Sequence, residues 1–511
     1  MVLTADSDAG SNSSQPLLRR LEAAEDVRSE SPNYGTDHQE EAVKNYAAPA
    51  SLKRRQVDLV NEIALVIKTT APLVASYALQ YGITLTTISV VGQLGKHELA
   101  AAALASTIAN ITGFAIYEGL NTALDTLCSQ AYGAGRFERV GIYLQRMICL
   151  LSLATIPIGV VWLCSPWLLA LFIPEVKIAI MAGNFLRVLL IGFPGLGIFM
   201  AGRRFFLAQG FLLGPLLVTL VAVPVNIVLS WLLVFRFEYG FLGAALALSI
   251  TRLTMPALLV AYVLLIQPSY LKCWFGLRAS AFQDWGDMAR LSVAGIITVE
   301  TESFAFEMST VAAAFISPTH LAAQSIVKSV CDVMLHISFS TAAAIATRLG
   351  NLVGAGDLSA ARVATRAFCI VATMIGISNG LFIFAFRRPI TSLFSHDQAV
   401  LDLALETIPL ISIVLFFDST AATINALLRG LGRQSVGACI NLAVHYMVRT
   451  ASSRNPLETC LFLTNFSSDW SPAWPGTLLR AITSKPVWPV DWISCRTGNH
   501  NYPWWNLLQM V

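Results

Sequence analysis

The sequence predicts an all-α membrane protein that crosses the bilayer many times. Of its 511 residues, 55% are apolar and 13% are charged, whereas about a quarter of the residues in soluble domains are charged. The mean hydropathy is +0.63. Apolar segments of about twenty residues or more recur along the chain, and each can cross a hydrocarbon core of roughly 30 Å. A soluble globular fold is therefore excluded.

Ten segments have the length and composition of membrane-spanning helices, and an eleventh begins near residue 434. Six precede a polar stretch and four follow it. Their approximate bounds are 67–93, 98–128, 140–165, 178–201, 212–235, 241–266, 289–315, 320–345, 365–386 and 398–427. This grouping predicts two transmembrane lobes, over residues 58–266 and 289–449.

The segments outside the lobes have different compositions. Residues 1–57 are rich in Ser, Asp, Glu and Asn and lack an apolar run, which predicts a disordered tail and not a secretory signal peptide. Residues 267–288 mix charged side chains with Trp and Phe, as is typical of an amphipathic segment at a membrane surface. We interpret this stretch as the linker between the lobes.

The distribution of Lys and Arg predicts a cytoplasmic N-terminus, because positive charge gathers in short cytoplasmic loops. In that orientation the inner loops hold twelve Lys or Arg residues and the outer loops five. The inner set includes Arg203, Arg204, Arg348 and Arg429. No Lys or Arg is expected near the middle of a span.

An internal repeat relates the two halves. Thr126 to Gly135 (TLCSQAYGAG) aligns with Thr347 to Gly356 (TRLGNLVGAG), and both copies follow the second span of their half. The halves therefore run in parallel and should be related by an axis along the membrane normal. Parallel repeats of this kind are typical of transporters.

Acidic residues inside predicted spans are the first candidates for function, since an ionised carboxylate there needs a cavity or a partner. Glu300, Glu302 and Glu307 occupy about two turns of the seventh segment and can line one cavity. The alternative for Glu300 is an interfacial position, because the segment begins near Arg290. Asp418, in the tenth segment, is a functional candidate whose alternative is a structural hydrogen bond.

For two further sites, the sequence is compatible with both a structural and a functional role. Asp332 and His336 are four residues apart on the eighth segment, where an ion pair and a proton relay are equally compatible with the spacing. Asp125, near the inner end of the second segment, faces either packing or a cavity.

Several functional classes find no support. The chain contains no HExxH, GxSxG, Walker A or GxGxxG motif, so we expect neither an enzyme nor an ATP-driven pump. Its nine cysteines lack zinc-site spacing, and we expect no metal or other cofactor. A net charge of +3, without basic clusters interleaved with aromatics, gives no indication of nucleic-acid binding.

Six motifs, in order along the chain, resemble those of the multidrug and toxic compound extrusion (MATE) family of cation antiporters, in its eukaryotic branch. The LDTLCSQAYGAG segment is the most specific of them. The motifs are VGQLGKHELAAAALA (91–105), LDTLCSQAYGAG (124–135), CWFGLRASAFQDW (273–285), HLAAQSIV (320–327), VGAGDLSAAR (353–362) and LLRGLGRQSVGACIN (427–441).

The resemblance implies twelve spans in two six-helix lobes that open alternately to the two sides of the membrane. It also implies export of organic cations or drug-like molecules in exchange for protons by a monomer. Glu302 and Glu307 match the two acids of the family's seventh span, and Asp418 matches the acid of its tenth. Since residues 69–93 contain no acid, coupling is expected in the C-terminal lobe.

The substrate surface is a weaker expectation. Glu300, Tyr77, Tyr81, Phe304 and Phe306 offer a carboxylate and aromatic faces to a cation, although such aromatics also serve as packing. Ser303 and Phe304 stand where the family has two aromatics. The expected location is the plasma or vacuolar membrane.

Three alternatives remain beside a cation antiporter. A major facilitator transporter also has two six-span halves, but its usual GxxxDRxGRR-like loop is replaced here by QAYGAGRFERVG. A lipid flippase of the same superfamily is the closest alternative. A non-transporting, truncated membrane product is the third, because residues 450–511 do not resemble the family.

The composition of residues 450–511 predicts a frame error or a retained intron. This segment contains Pro456, Pro472, Pro475, Pro486, Pro489 and Pro503 and has no apolar run near twenty residues. Deleting one nucleotide from the codons of Trp488 to Ile493 permits Gly-Leu-Trp-Ile-Gly, which resembles the start of the family's last span.

We expect the gene's nucleotide sequence to contain an apolar open frame shifted by one nucleotide across this segment. The 511-residue product should then transport poorly beside a repaired chain when both are assayed in vesicles. A transcript that matches the written frame, together with full transport by the 511-residue chain, would contradict this prediction.

Overall fold

A computed structural model describes residues 59–173, 175–392, 394 and 397–451. The predicted tail 1–57 lies outside the described residues, and so does the segment 450–511 apart from the end of a helix at Ala451. Every regular element in the described residues is a helix, which confirms the all-α fold class.

Seven α-helices form the N-terminal half of the described chain. They are α1 Leu59–Gly92, α2 Lys96–Ala109, α3 Ala115–Gly133, α4 Phe137–Phe172, α5 Val176–Ala208, α6 Leu213–Trp231 and α7 Gly240–Leu265. The π-helical turn Asn110–Phe114 joins α2 to α3, and Leu232–Arg236 extends α6 in the same way.

Six α-helices form the C-terminal half. They are α8 Gly286–Ile316, α9 Pro318–Gly354, α10 Leu358–Ala385, α11 Arg387–Ser392, α12 Gln398–Gly430 and α13 Gln434–Ala451. Each predicted span lies inside a helical segment, with at most one residue outside it, although several helices are longer than predicted: α1, for example, begins at Leu59 and not near residue 67. The helix that follows the tenth predicted span begins at Gln434, as expected.

Nine helical segments of the described chain are long and apolar enough to cross a membrane. They are α1, α2 joined to α3, α4, α5, α6 with its π turn, α7, α9, α10 and α12. Helix α8 has comparable length but is not one of these nine segments. It carries Arg290 and three glutamates. One of these glutamates, Glu307, pairs with Lys328 of the neighbouring helix α9.

The linker between the halves is fastened to α4. It contains two 3₁₀ turns, Pro268–Cys273 and Ala279–Phe282. Arg146 of α4 donates hydrogen bonds to the backbone oxygens of Ser280 and Asp284, at 3.0 and 3.1 Å. The apolar side chains of Leu277 and Phe282 are exposed, as suits a segment at a membrane surface.

The two copies of the internal repeat end their helices in the same backbone conformation. Gly135 and Gly356 each have φ of +73°, a left-handed conformation that glycine adopts without a steric penalty. Arg136 N–H donates to the oxygen of Ala131 at 2.9 Å, and the next residue after Gly356 makes the equivalent bond at 3.1 Å. We call the end of the helix bundle that holds these turns the Gly135 end.

That next residue, Asp357, also caps α10. Its carboxylate accepts hydrogen bonds from the Ala360 backbone N–H at 2.9 Å and from the Ser359 hydroxyl at 2.6 Å. Both bonds favour the ionised form, and they hold the pKa of Asp357 below its ordinary value. The cap fixes where α10 begins after the turn.

The two repeats pack directly against each other across the halves. A Cβ atom on Gly133 would overlap the backbone of Asn351, and one on Gly354 would overlap the backbone of Gln130. In the repeat alignment Gly133 corresponds to Gly354 and Gln130 to Asn351, so the two contacts are equivalent. Such reciprocity is what a two-fold relation between parallel halves requires.

We expect Gly133→Ala to lower the apparent melting temperature of the purified chain, because the added methyl group forces α3 and α9 apart. Overpacking of this kind costs about 1–3 kcal/mol. Gly82→Ala is the matched control, since nothing lies within 4 Å of its added Cβ and alanine favours a helix interior. Equal melting temperatures for the two variants would contradict the prediction.

Candidate functional site

The predicted acids of the C-terminal half lie on helices that pack together. Helices α9 and α12 are joined by a 2.8 Å hydrogen bond between the hydroxyls of Ser338 and Ser419. The preceding residue, Asp418, lies within electrostatic reach of Glu302 on α8. Tertiary packing therefore brings together two acids that are more than a hundred residues apart in sequence.

Glu307 has a different environment from Glu302. Its carboxylate accepts a hydrogen bond from the Lys328 ammonium of α9 at 2.5 Å, and both side chains are largely buried. The expectation that no Lys or Arg lies near the middle of a span is therefore wrong for Lys328, and also for Arg252, which is buried at the middle of α7. A buried carboxylate needs a compensating charge, and a lysine of the neighbouring helix supplies it.

Asp332 and His336 do not form the side-chain ion pair that their spacing allows. The His336 Nδ1 atom instead contacts the backbone oxygen of Asp332. The imidazole ring lies 5.2 Å from the ring of Tyr81 and 6.2 Å from that of Tyr77, measured between centroids. Both tyrosines belong to α1, so this aromatic contact joins the two halves.

The remaining weak candidates are dispersed along α8. One carboxylate oxygen of Glu300 is buried without a hydrogen-bond partner. The Phe304 side chain is 44% exposed, whereas Phe306 packs against the apolar cluster formed by α9, α10 and α12. The three side chains of α8 therefore have different surroundings.

The N-terminal half contains a charge cluster that the sequence analysis missed. The Arg204 guanidinium of α5 is 4% exposed and pairs with both Glu118 and Asp125 of α3. Its neighbour Arg203 donates to Gln80 at 3.0 Å and lies 3.8 Å from the centroid of the Tyr77 ring. Asp125 thus serves packing through an ion pair, and Tyr77 already has a cation over its face.

The predicted placement of Arg348 and Arg429 in inner loops is wrong, since they lie on α9 and α12. The same is true of Arg203 and Arg204. Helix α5 extends to Ala208, so both arginines lie in its last turns and are buried. Glu118 and Asp125 are seven residues apart and share one face of α3. Two acids at that spacing and a pair of arginines in another span are the signal from which this cluster could have been found.

A third arginine connects this cluster to the C-terminal half. The Arg429 Nε atom of α12 lies 3.8 Å from the Asp125 carboxylate, and its charge also acts on Glu302. Nearby, the Gln434 side chain of α13 donates to the backbone oxygen of Thr122 and to the hydroxyl of Thr126, both at 3.0 Å. Charged and polar groups therefore form a continuous junction between the halves.

These features define a class of protein. Parallel helical repeats that cross a membrane, with buried charges along their junction, are the architecture of a membrane transporter. Comparison with known proteins identifies the family: the MatE profile matches residues 72–232 and 295–451, and the chain belongs to that family. One matched stretch lies in each half of the structure.

Three similar proteins illustrate the relationship. An uncharacterized transporter of Schizosaccharomyces pombe is 35% identical over 389 residues, which cover 76% of this chain and 72% of that one. Multidrug and toxin extrusion protein 2 of Mus musculus is 28% identical, with coverage of 76% and 68%. The crystal structure of the eukaryotic MATE transporter AtDTX14 superposes with a TM-score of 0.76 at 28% identity, and covers 83% of this chain and 96% of that one.

We expect Arg204→Met to destabilise the chain strongly, because it removes the guanidinium that pairs with the buried carboxylate of Asp125 and the partly buried carboxylate of Glu118. Loss of one partner from a buried pair costs about 3–5 kcal/mol. The measurements are the folded yield and the apparent melting temperature of the purified protein.

Arg278→Met is the matched control, because it breaks a 3.3 Å pair with Glu138 in which both side chains are about half exposed. Exposed pairs contribute about 0–1 kcal/mol, so this variant should behave like the unmodified chain. Similar losses in the two variants would show that burial does not set the strength of the Arg204 cluster.

Proposed function

We propose that this chain exports organic cations in exchange for protons, and that Glu302, Glu307 and Asp418 couple the two movements. The observation that most directly supports the proposal is the proximity of Glu302 and Asp418, on α8 and α12, inside the C-terminal half. The related protein from mouse carries the name multidrug and toxin extrusion protein 2, which is consistent with a drug-like cation as substrate.

Charge competition explains how these two acids can exchange a proton for a cation. Two ionised carboxylates that are close together in a low-dielectric interior repel each other. A proton on one of them, or an organic cation beside both, relieves that repulsion. Binding of a proton from the acidic side therefore weakens the attraction for the cation and releases it.

Glu307 contributes through its ion pair with Lys328. While Glu307 is ionised, it neutralises the Lys328 ammonium, 2.5 Å away. When Glu307 takes up a proton, the lysine charge is left uncompensated and repels a bound cation. Protonation then acts on the substrate twice, by removing attraction at Glu302 and Asp418 and by adding repulsion from Lys328.

The proposed substrate surface uses aromatic side chains of α1, α8 and α9. Tyr81 and His336 form the aromatic contact between the halves, and Phe304 presents an exposed ring on α8. Aromatic faces attract organic cations without demanding one shape.

We place the N-terminus in the cytoplasm and the protein, as a monomer, in the plasma or vacuolar membrane.

The test is flux of a fluorescent organic cation into vesicles that contain the purified chain and bear an imposed pH gradient. We expect Glu302→Gln and Asp418→Asn each to reduce gradient-driven flux to the level of protein-free vesicles, because an amide keeps the shape of the carboxyl group and cannot titrate. Glu307→Gln should act similarly, since it leaves the Lys328 charge in place.

Glu406→Gln is the control, because it removes an exposed acid from the same helix as Asp418 and should leave flux unchanged. Full exchange by both Glu302→Gln and Asp418→Asn would overturn the coupling assignment. Flux of anionic compounds only would overturn the substrate class. Lipid transfer that does not respond to the pH gradient would identify a flippase instead.

A further inference from the structure

Ion pairs join the two halves at the Gly135 end. Glu62 lies in the first turn of α1, and its carboxylate accepts two hydrogen bonds from Arg348 of α9, at 2.6 and 3.2 Å. The Glu62 side chain is 6% exposed and that of Arg348 is 33% exposed. A two-point bond between a planar guanidinium and a carboxylate fixes both the distance and the relative orientation of α1 and α9.

A second charge contact lies at the same end, between Asp125 of α3 and Arg429 of α12. Hydrogen bonds from side chains of α3 to backbone oxygens of α12 lie beside it. The Thr126 hydroxyl donates to the backbone oxygen of Arg429 at 2.5 Å, and the Gln130 side chain donates to that of Gly430 at 2.9 Å. The C-terminal end of α12 is therefore bound to α3 through its last carbonyl groups, which a helix leaves without internal partners.

Apolar packing closes the same end. Val66 of α1 is fully buried in a cluster with Ile345 and Leu349 of α9, Phe368 of α10 and Leu427 of α12. Two turns further along α1, Leu73 packs with Leu207 of α5 and with Ala343 and Ala344 of α9. The halves are thus in close contact from the start of α1 to the level of Tyr77.

The charge pairs differ from the small-residue contact in symmetry. The glycine contacts of the two repeats are reciprocal, but Arg348 aligns with Leu127 in the other repeat, so its ion pair has no counterpart related by the two-fold axis. An added charge pair at one place gives the closed arrangement a specific register.

We propose that Arg348 and Arg429 are positioning residues for the exchange, and that their pairs with Glu62 and Asp125 form a latch that holds the cytoplasmic side shut. This inference rests on the proposed function and orientation, in which the Gly135 end faces the cytoplasm. Loading of a cation from the cytoplasm then requires both pairs to break. The latch makes the closed state the resting state, so that the cytoplasmic side opens only when other interactions compensate.

The latch explains the use of arginine at both positions. A guanidinium remains charged at any physiological pH, so the cationic partner of each pair does not exchange its proton during transport. The Glu62–Arg348 pair therefore keeps its cation while Glu302 and Asp418 change charge, whereas Arg429 also interacts with the charge of Glu302. Opening is then controlled by the acids and the substrate, and the latch opposes it.

A charge-swap experiment tests the inference on the full chain in lipid nanodiscs. The readout is hydrogen–deuterium exchange in the segments 126–135 and 347–356, which are protected while the Gly135 end is closed. We expect Glu62→Arg and Arg348→Glu to raise the exchange rate of both segments by at least about tenfold. The double variant, which restores an ion pair of reversed polarity, should return the rate toward that of the unmodified chain.

The Glu138→Arg and Arg278→Glu variants are matched controls, because they alter an exposed pair of the linker region and should leave both segments protected. If Arg348→Glu does not yield folded protein, Glu62→Gln and the double variant provide the same comparison. Unchanged exchange in the single variants, or a double variant no better protected than either single one, would overturn the latch. The exchange measurement needs no transport. A failed vesicle assay would therefore refute the proposed function without deciding whether the ion pairs hold the Gly135 end closed.

Discussion

A charge inside a membrane-spanning bundle needs an opposite charge or a water-filled cavity, since an unpaired ion in the hydrocarbon costs several kcal/mol. In this protein, ion pairs that meet this requirement connect several pairs of neighbouring helices. Arg204 joins α5 to α3, Lys328 joins α9 to α8, and Arg348 joins α9 to α1. Each pair lies between two helices, so the same interaction that satisfies a charge also fixes a helix contact.

The second constraint is the absence of side chains where helices approach most closely. Lipid tails are as apolar as leucine, so burial of apolar surface contributes little to association within the bilayer, and close packing of small residues contributes more. Gly119 and Gly295 bring α3 against α8, and Gly133 and Gly354 bring the repeats together. These close approaches bring Asp125 near enough to Arg429 for a charge contact between the halves.

Arg429 lies where the two constraints meet. It belongs to the charge junction through Asp125, and its charge reaches Glu302 in the proposed coupling site. The carboxyl groups that we expect to titrate are therefore connected, through one fixed cation, to the contact that holds the halves together. A change of charge at Glu302 alters the balance of forces on Arg429, which gives the coupling site a physical route to the junction.

The sequence by itself determined the class of fold, the position of nearly every span, the internal repeat and the acids of the C-terminal half. These features are written in local composition, because a spanning helix needs a continuous apolar segment and a buried acid interrupts it visibly. Only the tertiary structure decided which groups are partners. It showed that Glu307 pairs with Lys328, that His336 contacts the backbone oxygen of Asp332, and that Arg203 and Arg204 are buried. Pairing depends on which helix faces lie together, and residues such as Glu62 and Arg348 are brought into contact across almost three hundred positions by packing that no local pattern specifies.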